Sequence, residues 1–293
     1  MLLTHWKLIS YHLQTKTMLR LELYKIFKRP RTYISFAIIT AFALVIQLAL
    51  VADGKNFISF ALQGVNEQFD VKGNILNGYL VTYIILQSLL VQIPLLVALV
   101  AGDVLAGEAN MGTMRLLLTK PVSRTRLVLV KYTASVCYAL LLITWLAVIA
   151  LALSVSIFGA GDLINLKSDS FVIILKDDVL WRYLAAFGFA ALAMSTVSAL
   201  ALFLSSFADN AIGPIMGTMG VIVVLMIFTT LDLPIFNTIS RYLFTTHMIG
   251  WKGFFDDPVP YAAITRSAII LAIYTVLFVG ATIWWFNKKD IQS

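Results

Sequence analysis

Residues able to do chemistry are few in this chain. Its histidines, His5, His12 and His247, fall on both sides of the membrane arrangement derived below, so no zinc or iron cluster is in view. Cys137 is the lone cysteine, which excludes an intramolecular disulfide. Gly107 to Gly112, G-E-A-N-M-G followed by Thr113, has the glycine spacing of a phosphate-binding loop. The lysine that must reach the phosphates is missing, and an apolar helix precedes the motif where a strand should stand. It is a false match, and the chain is expected to hold no nucleotide-hydrolysing site and no cofactor of its own. Proton or ion relays need ionisable groups inside the membrane, where they are costly. The apolar stretches offer chiefly Gln47, Gln87 and Gln92, which more often join helix to helix than bind substrate. A membrane enzyme is disfavoured because the spans lack a constellation of His, Cys or paired carboxylates.

The elements that carry these residues are set by composition. Hydrophobic residues make up 60%, charged residues 13%, and mean hydropathy is +0.90. A soluble domain carries about a quarter charged residues. The expected fold is an all-α membrane protein with six transmembrane helices, near residues 33–52, 79–101, 133–158, 181–207, 212–231 and 266–286. The fourth is rich in Ala and Ser, which lets membrane helices pack closely. Residues 1–31 form a cytoplasmic tail with an interfacial helix, and residues 32–293 a single transmembrane domain.

Charge orients this arrangement. The N-terminal tail, the segment between spans two and three and the C-terminus hold fourteen basic residues, and with the short turn after span four that side carries five acids, leaving +9. The other side has eight basic and ten acidic residues, leaving −2, and the two sides together make the chain's +7. By the positive-inside rule both termini are cytoplasmic. The basic balance needs no nucleic acid to explain it. Met1 to Thr17 has no long apolar region or small-residue cleavage site, so it does not read as a secretory signal, and Met18 is an alternative start. Leu19, Leu23, Ile26 and Phe27 recur at helical spacing among charges, the pattern of a helix lying in the membrane interface or of a positively charged flank that only sets topology.

On the outer side, residues 53–78 and 159–180 read as polar connections, each long enough for a short helix. Residues 232–265 carry Phe236, Tyr242, Phe244, Trp251, Phe254 and Phe255, and are expected to form short interfacial or re-entrant helices capping the bundle. Simple anchoring in the headgroup layer is favoured slightly over a gating role. Gly213, Gly217 and Gly220 read as close helix packing and only weakly as a dimer seam. Pro94 and Pro214 permit kinks.

The segment Gly102 to Lys131 is a long polar interruption with a dense basic cluster. Within it Met111 to Thr119 is apolar and helix-compatible, Pro121 stops it, and Ser123 is placed to cap the helix entering span three. An apolar half-turn of Met114, Leu116, Leu117 and Leu118 held outside the membrane and rimmed by charge needs a partner: lipid, the N-terminal interfacial helix or another protein.

Glu108, Gly112-Thr113, Leu116-Leu117, Pro121-Val122-Ser123-Arg124 and Lys131 resemble the E-x-x-x-G-T…L-L…P-(V/I)-S-R…K signature of ABC-2 type transporter permeases. The resemblance extends over nearly the whole chain, to a closing Phe286-Asn287-Lys288-Lys289-Asp290-Ile291 like the family's F-x-(R/K)-K-D-I end. The chain looks most similar to the small permeases of bacterial exporters, such as those serving copper-site maturation or bacitracin resistance. The resemblance implies a multi-pass protein of the bacterial plasma membrane. Two ATPase subunits binding ATP and Mg would drive two copies of the permease, paired as a homodimer. It makes Glu108 to Thr119 the cytoplasmic coupling element within segment 102–131. Gly112, Thr113, Met114, Leu116 and Leu117 would meet the ATPase. Glu108, Arg115 and Arg124 would give polar contacts or hold the element against the Leu19 to Phe27 helix. The pathway would run between the two copies along spans two and five, with Gln87, Gln92, Met216 and Phe228 lining it. Two other readings stand beside this one: an ion-coupled secondary transporter, and a non-transporting membrane anchor of a regulatory complex.

Overall fold

The computed structural model describes residues 2–61, 75–113, 123–166, 171–230 and 240–288. In chain order its helices are α1 (Leu2–Lys28), α2 (Pro30–Ala61), α3 (Gly78–Ser88), α4 (Gln92–Ala101), α5 (Asp103–Asn110), α6 (Arg124–Ala147), α7 (Leu153–Phe158), α8 (Lys176–Ser205), α9 (Ile212–Thr230), α10 (Phe244–Met248) and α11 (Tyr261–Lys288). A π-helical turn (Val148–Ala152) joins α6 to α7, and a 3₁₀ turn (Ile249–Phe255) follows α10. Among the described residues, five helical stretches are long and apolar enough to cross a membrane: Pro30–Gly54, Gln92–Asn110, Arg124–Phe158, Lys176–Ser205 and Tyr261–Lys288. The chain is a helical, membrane-embedded protein. The fifth expected span is α9, apolar but shorter, with 19 residues, or about 28 Å of helix.

The second expected span departs from the sequence reading. The apolar run 79–101 is not one helix but two, α3 and α4, separated by a turn at Leu89 to Val91. Pro94 accounts for the break, because it lacks the N–H that a continuous helix needs and is tolerated in a first turn. Pro214 likewise lies in the first turn of α9, where Asn210 Oδ1 accepts from Gly213 N at 3.2 Å, so it begins a helix and does not kink one.

The π turn widens the third membrane helix, and its carbonyls are met from outside. Gln47 Nε2 donates to Ile149 O at 3.0 Å and to Ser154 Oγ at 2.8 Å, while Thr82 Oγ1 donates to Ala150 O at 2.8 Å. Backbone polar groups in lipid must find partners inside the protein, and a glutamine and a threonine supply them here. Gln47 is thus a helix-to-helix link.

Among its described residues, the connection 159–180 holds no helix before Lys176. It forms an antiparallel hairpin, β1 (Leu163–Leu166) with β2 (Phe171–Ile174), in which Leu163 pairs with Ile174 and Ile164 with Ile173. Asn77 fastens the hairpin to α3: its Oδ1 accepts from Tyr79 N and Leu80 N, capping that helix, and its Nδ2 donates to Asp162 O at 2.7 Å.

At this same end Arg182 of α8 is buried, bonded to Asp178 and donating to Phe254 O and Asp256 O. Phe244, Trp251 and Phe255 are buried in the protein, with Phe255 against Tyr83 and Tyr183. The short helices expected between spans five and six exist as α10 and the 3₁₀ turn. These three aromatics face the core, not a headgroup layer. His247 uses both ring nitrogens structurally, on Ser267 Oγ and Arg241 O.

Candidate functional site

The opposite end of the bundle gathers α1, the start of α2, α5, the start of α6 and the end of α11. Helix α5 begins at Gly102, where α4 gives way, and such a junction leaves backbone groups without helical partners. Ser205, at the end of α8, supplies them: its Oγ accepts from Leu105 N (3.3 Å) and Ala106 N (2.9 Å) and donates to Gly102 O (2.6 Å). A side chain at Gly102 would collide with Ala98 O and crowd Ile215 of α9, so glycine permits the approach. Helix α5 ends on Gly112, whose φ of +67° is the left-handed conformation that closes helices. Thr113 Oγ1 donates back to Glu108 O at 3.3 Å. The Gly112-Thr113 pair therefore has a local structural role as a helix stop.

Four charged side chains from three elements form a closed ring. Lys25 Nζ of α1 lies 2.8 Å from Glu22 Oε1 and 2.7 Å from Glu108 Oε1. Lys131 Nζ of α6 lies 3.0 Å from Glu22 Oε2 and 2.8 Å from Glu108 Oε2. The last contact is one of charge alone, because Glu108 Oε2 makes no aligned hydrogen bond. Lys131 also donates to Val104 O at 3.0 Å. Glu22, Glu108 and Lys131 are all buried, Lys131 with only 1% of its surface exposed. Burial by itself raises the Glu22 carboxyl, but Lys131 and Lys25 outweigh it and hold it below the ordinary carboxylate value. Burial pulls Lys25 down, and Glu108 and Glu22 reverse this and raise it. The ring pairs two acids with two cations, and each of the four meets two partners of opposite sign.

Beside the ring, Arg29 and Arg31 at the α1–α2 corner both pair with Asp103, the first residue of α5. Gly107, one turn on, leaves room for that carboxylate: a Cβ there would press on Asp103 Oδ1.

The expected partner-facing residues separate into three groups. Gly112 and Thr113 lie at the surface end of α5, exposed and half-buried respectively. Met114, Arg115, Leu116 and Leu117 lie outside the described residues. Glu108 is buried at 3% exposure and faces Lys25 and Lys131, so of its two expected roles the geometry matches holding the element against the N-terminal helix. Arg124 donates to Phe286 O (3.1 Å) and Asn287 O (3.2 Å), capping the C-terminal turn of α11. Lys131, counted with the cytoplasmic charges by sequence, lies inside the bundle.

The residues expected along a pathway do not converge within one copy. Gln87 and Gln92 flank the α3–α4 break, Gln87 donating to Tyr83 OH at 3.0 Å and Gln92 keeping Oε1 buried with no hydrogen-bond partner among the described residues. Met216 lies 67% exposed on the outer face of α9, and Phe228 is half-buried. An apolar cavity of about 50 Å³ does open at the α3–α4 break, lined among others by Leu90, Pro94, Met194, Met226 and Trp251, and none of the four borders it. Gly213, Gly217 and Gly220 are exposed, and a side chain at Gly220 would meet nothing. The stripe expected to pack inside the chain faces outward.

A family model covers residues 36–292, from early α2 to the C-terminus, and its description is a protein of unknown function, DUF2705. The chain belongs to the DUF2705 family. No curated protein matches it. The match takes in α5, α6 and the membrane helices from residue 36 of α2 onward, but does not reach α1, so Glu22 and Lys25 lie outside the family match while their partners Glu108 and Lys131 lie within it.

Sequence reasoning missed Glu22, Lys25, Asp103 and Ser205 as parts of this site. The available signal was slight: Glu22 and Lys25 stand three residues apart, one helical turn, and Glu22 is the one acid in a run of basic and apolar residues.

Proposed function

We propose that this chain is the permease subunit of an ATP-driven exporter of the ABC-2 type, working as a homodimer with two ATPase subunits that bind the ATP and Mg. The observation that carries the reading is the ion-pair ring. It fastens the helix leaving the second membrane segment to the N-terminal helix and to the start of the third. A push delivered to residues 114–122, immediately beyond α5, would therefore reach three helices at once. No P-loop accompanies this machinery, so the energy would come from another chain.

In this reading Gly112 and Thr113 aim the coupling segment, while Met114, Arg115, Leu116 and Leu117 meet the ATPase. Apolar anchors dominate such interfaces and charge sets register. Glu108 and Arg124 act from behind, as fasteners. Both termini face the cytoplasm of a bacterial cell and the chain sits in its plasma membrane, α9 completing six spans. The outward glycine stripe and Met216 of α9 would face the second copy, with the pathway between the copies.

The test is to ask whether an adjacent reading frame encodes an ATPase bearing a P-loop, and to co-express the full chain with it. Joint purification and ATP-dependent transport in vesicles are expected, and Leu116→Asp should separate the subunits without unfolding the permease. Transport that continues without ATP and collapses with an ion gradient would replace this reading by a secondary transporter. Association without any movement of cargo would make the chain an anchor.

A further inference from the structure

We propose that the α1–α2 corner is a binding site for the phosphate headgroup of an anionic phospholipid, with Arg29 and Arg31 as its ligands. The site rests only on the chain being embedded in a membrane, not on the transport reading.

Two guanidinium groups converge on one carboxylate, Asp103, which leaves a positive charge unmatched. Neither neighbouring acid can supply the balance, because Glu22 and Glu108 are each engaged by both Lys25 and Lys131. Counting Lys28, five cations face three acids at this corner. The two arginine side chains stay open to the outside, 26% and 31% exposed, and share one cleft with Lys25 and Thr32, whose inner wall carries the paired carboxylates of Glu22, Asp103 and Glu108. Paired guanidinium groups match phosphate oxygens in geometry as well as charge.

The surroundings favour a lipid over a free phosphate. Lys16, Arg20, Tyr24 and Lys28 follow at four-residue spacing along α1, all exposed, with Lys28 Nζ 5.7 Å from the Tyr24 ring. That is a basic stripe with an aromatic in it, the surface an interfacial helix turns to anionic headgroups. From the corner α2 runs into the apolar region with Tyr33, Ile34, Ile38, Val45 and Leu48 exposed. A headgroup held by Arg29 and Arg31 would lay its acyl chains along this face.

The test uses the full chain purified in neutral detergent and loaded with phosphatidylglycerol or phosphatidylcholine, with retained lipid read by native mass spectrometry. Phosphatidylglycerol should be retained preferentially. Arg29→Gln and Arg31→Gln should each lower its retention about fivefold, while Arg266→Gln at the other end leaves it unchanged. Asp103→Asn should raise retention, since it removes the internal competitor for both arginines. Lys28→Gln, an exposed change that cannot unfold the corner, should lower it more modestly and decides the matter if the arginine variants fail to fold. Equal retention of both lipids, no loss in the lysine and arginine variants, or a loss in Asp103→Asn matching that in the arginine variants would overturn the site.

Discussion

Lys131 and Glu22, 109 residues apart in sequence, meet at 3.0 Å in the interior of one end of the bundle. The contact ties the N-terminal helix to the third membrane segment. Because Lys131 also bonds Val104 O and approaches Glu108, one ammonium group serves three elements. Lys131→Met should therefore be among the most damaging single changes, since it leaves two buried carboxylates with Lys25 alone. Breaking a buried pair from one side costs about 3–5 kcal/mol, to be read as a fall in thermal stability in detergent. A double-mutant cycle with Glu22→Gln should show coupling of about 0.5–3 kcal/mol.

The ring also sets a pH window. The Glu22 carboxyl is held below its ordinary value of 4.5, so its contribution is present above that pH and is lost as pH falls through the lowered value. The Lys25 ammonium is raised above 10.5, so its contribution is present below that pH and is lost as pH rises through the raised value. The stability difference between the wild type and Glu22→Gln should be constant near neutrality and shrink in acid. A difference that grows on acidification would contradict the arrangement.

Ser205 offers a test of the α4–α5 junction. Ser205→Ala removes the group that satisfies Leu105 N, Ala106 N and Gly102 O. Unmet buried polar groups cost about 1–3 kcal/mol. Hydrogen exchange should rise locally at residues 102–106 while α11, far along the chain, keeps its protection. A uniform rise along the whole chain would mean that the serine supports the bundle generally and not this junction.

Hydropathy made the membrane helices legible because lipid demands long apolar runs, and even the Ala-rich stretch emerges as the helix Lys176–Ser205. The same signal is blind to where a run breaks, and within 79–101 only Pro94 hinted at it. The hairpin had a usable mark, two aliphatic runs, L-I-N-L and F-V-I-I, on either side of K-S-D-S. Its polar flanks drew attention instead. The ring was hidden for a different reason. Charge bias treats Glu22, Glu108 and Lys131 as aqueous, and the links from α1 to α5 and α6, across 83 and 109 residues, leave no periodic trace. Glu108 and Arg124 were visible as residues of interest, but their neighbours Lys25, Lys131, Phe286 and Asn287 come together only in the folded bundle.

The outward face of α9 separates folding from assembly. Gly213, Gly217 and Gly220 stand among exposed Met216, Val221, Val224 and Ile227, and small residues on an apolar face let two membrane helices approach closely. Within one copy a side chain at Gly220 meets nothing and one at Gly217 makes ordinary contact with Leu204 at 3.4 Å. Gly220→Leu should therefore leave the monomer at least as stable as wild type, since a leucine in the helix interior gains up to about 1 kcal/mol over glycine. If two copies pair along this stripe, the same change holds the helices apart, and cross-linking in membranes should show the dimer fraction falling sharply. Replacing exposed Ile273 on α11 by Ala should spare the dimer. A dimer that persists in Gly220→Leu, with Ile273→Ala dissociating it instead, would move the seam from α9 to α11.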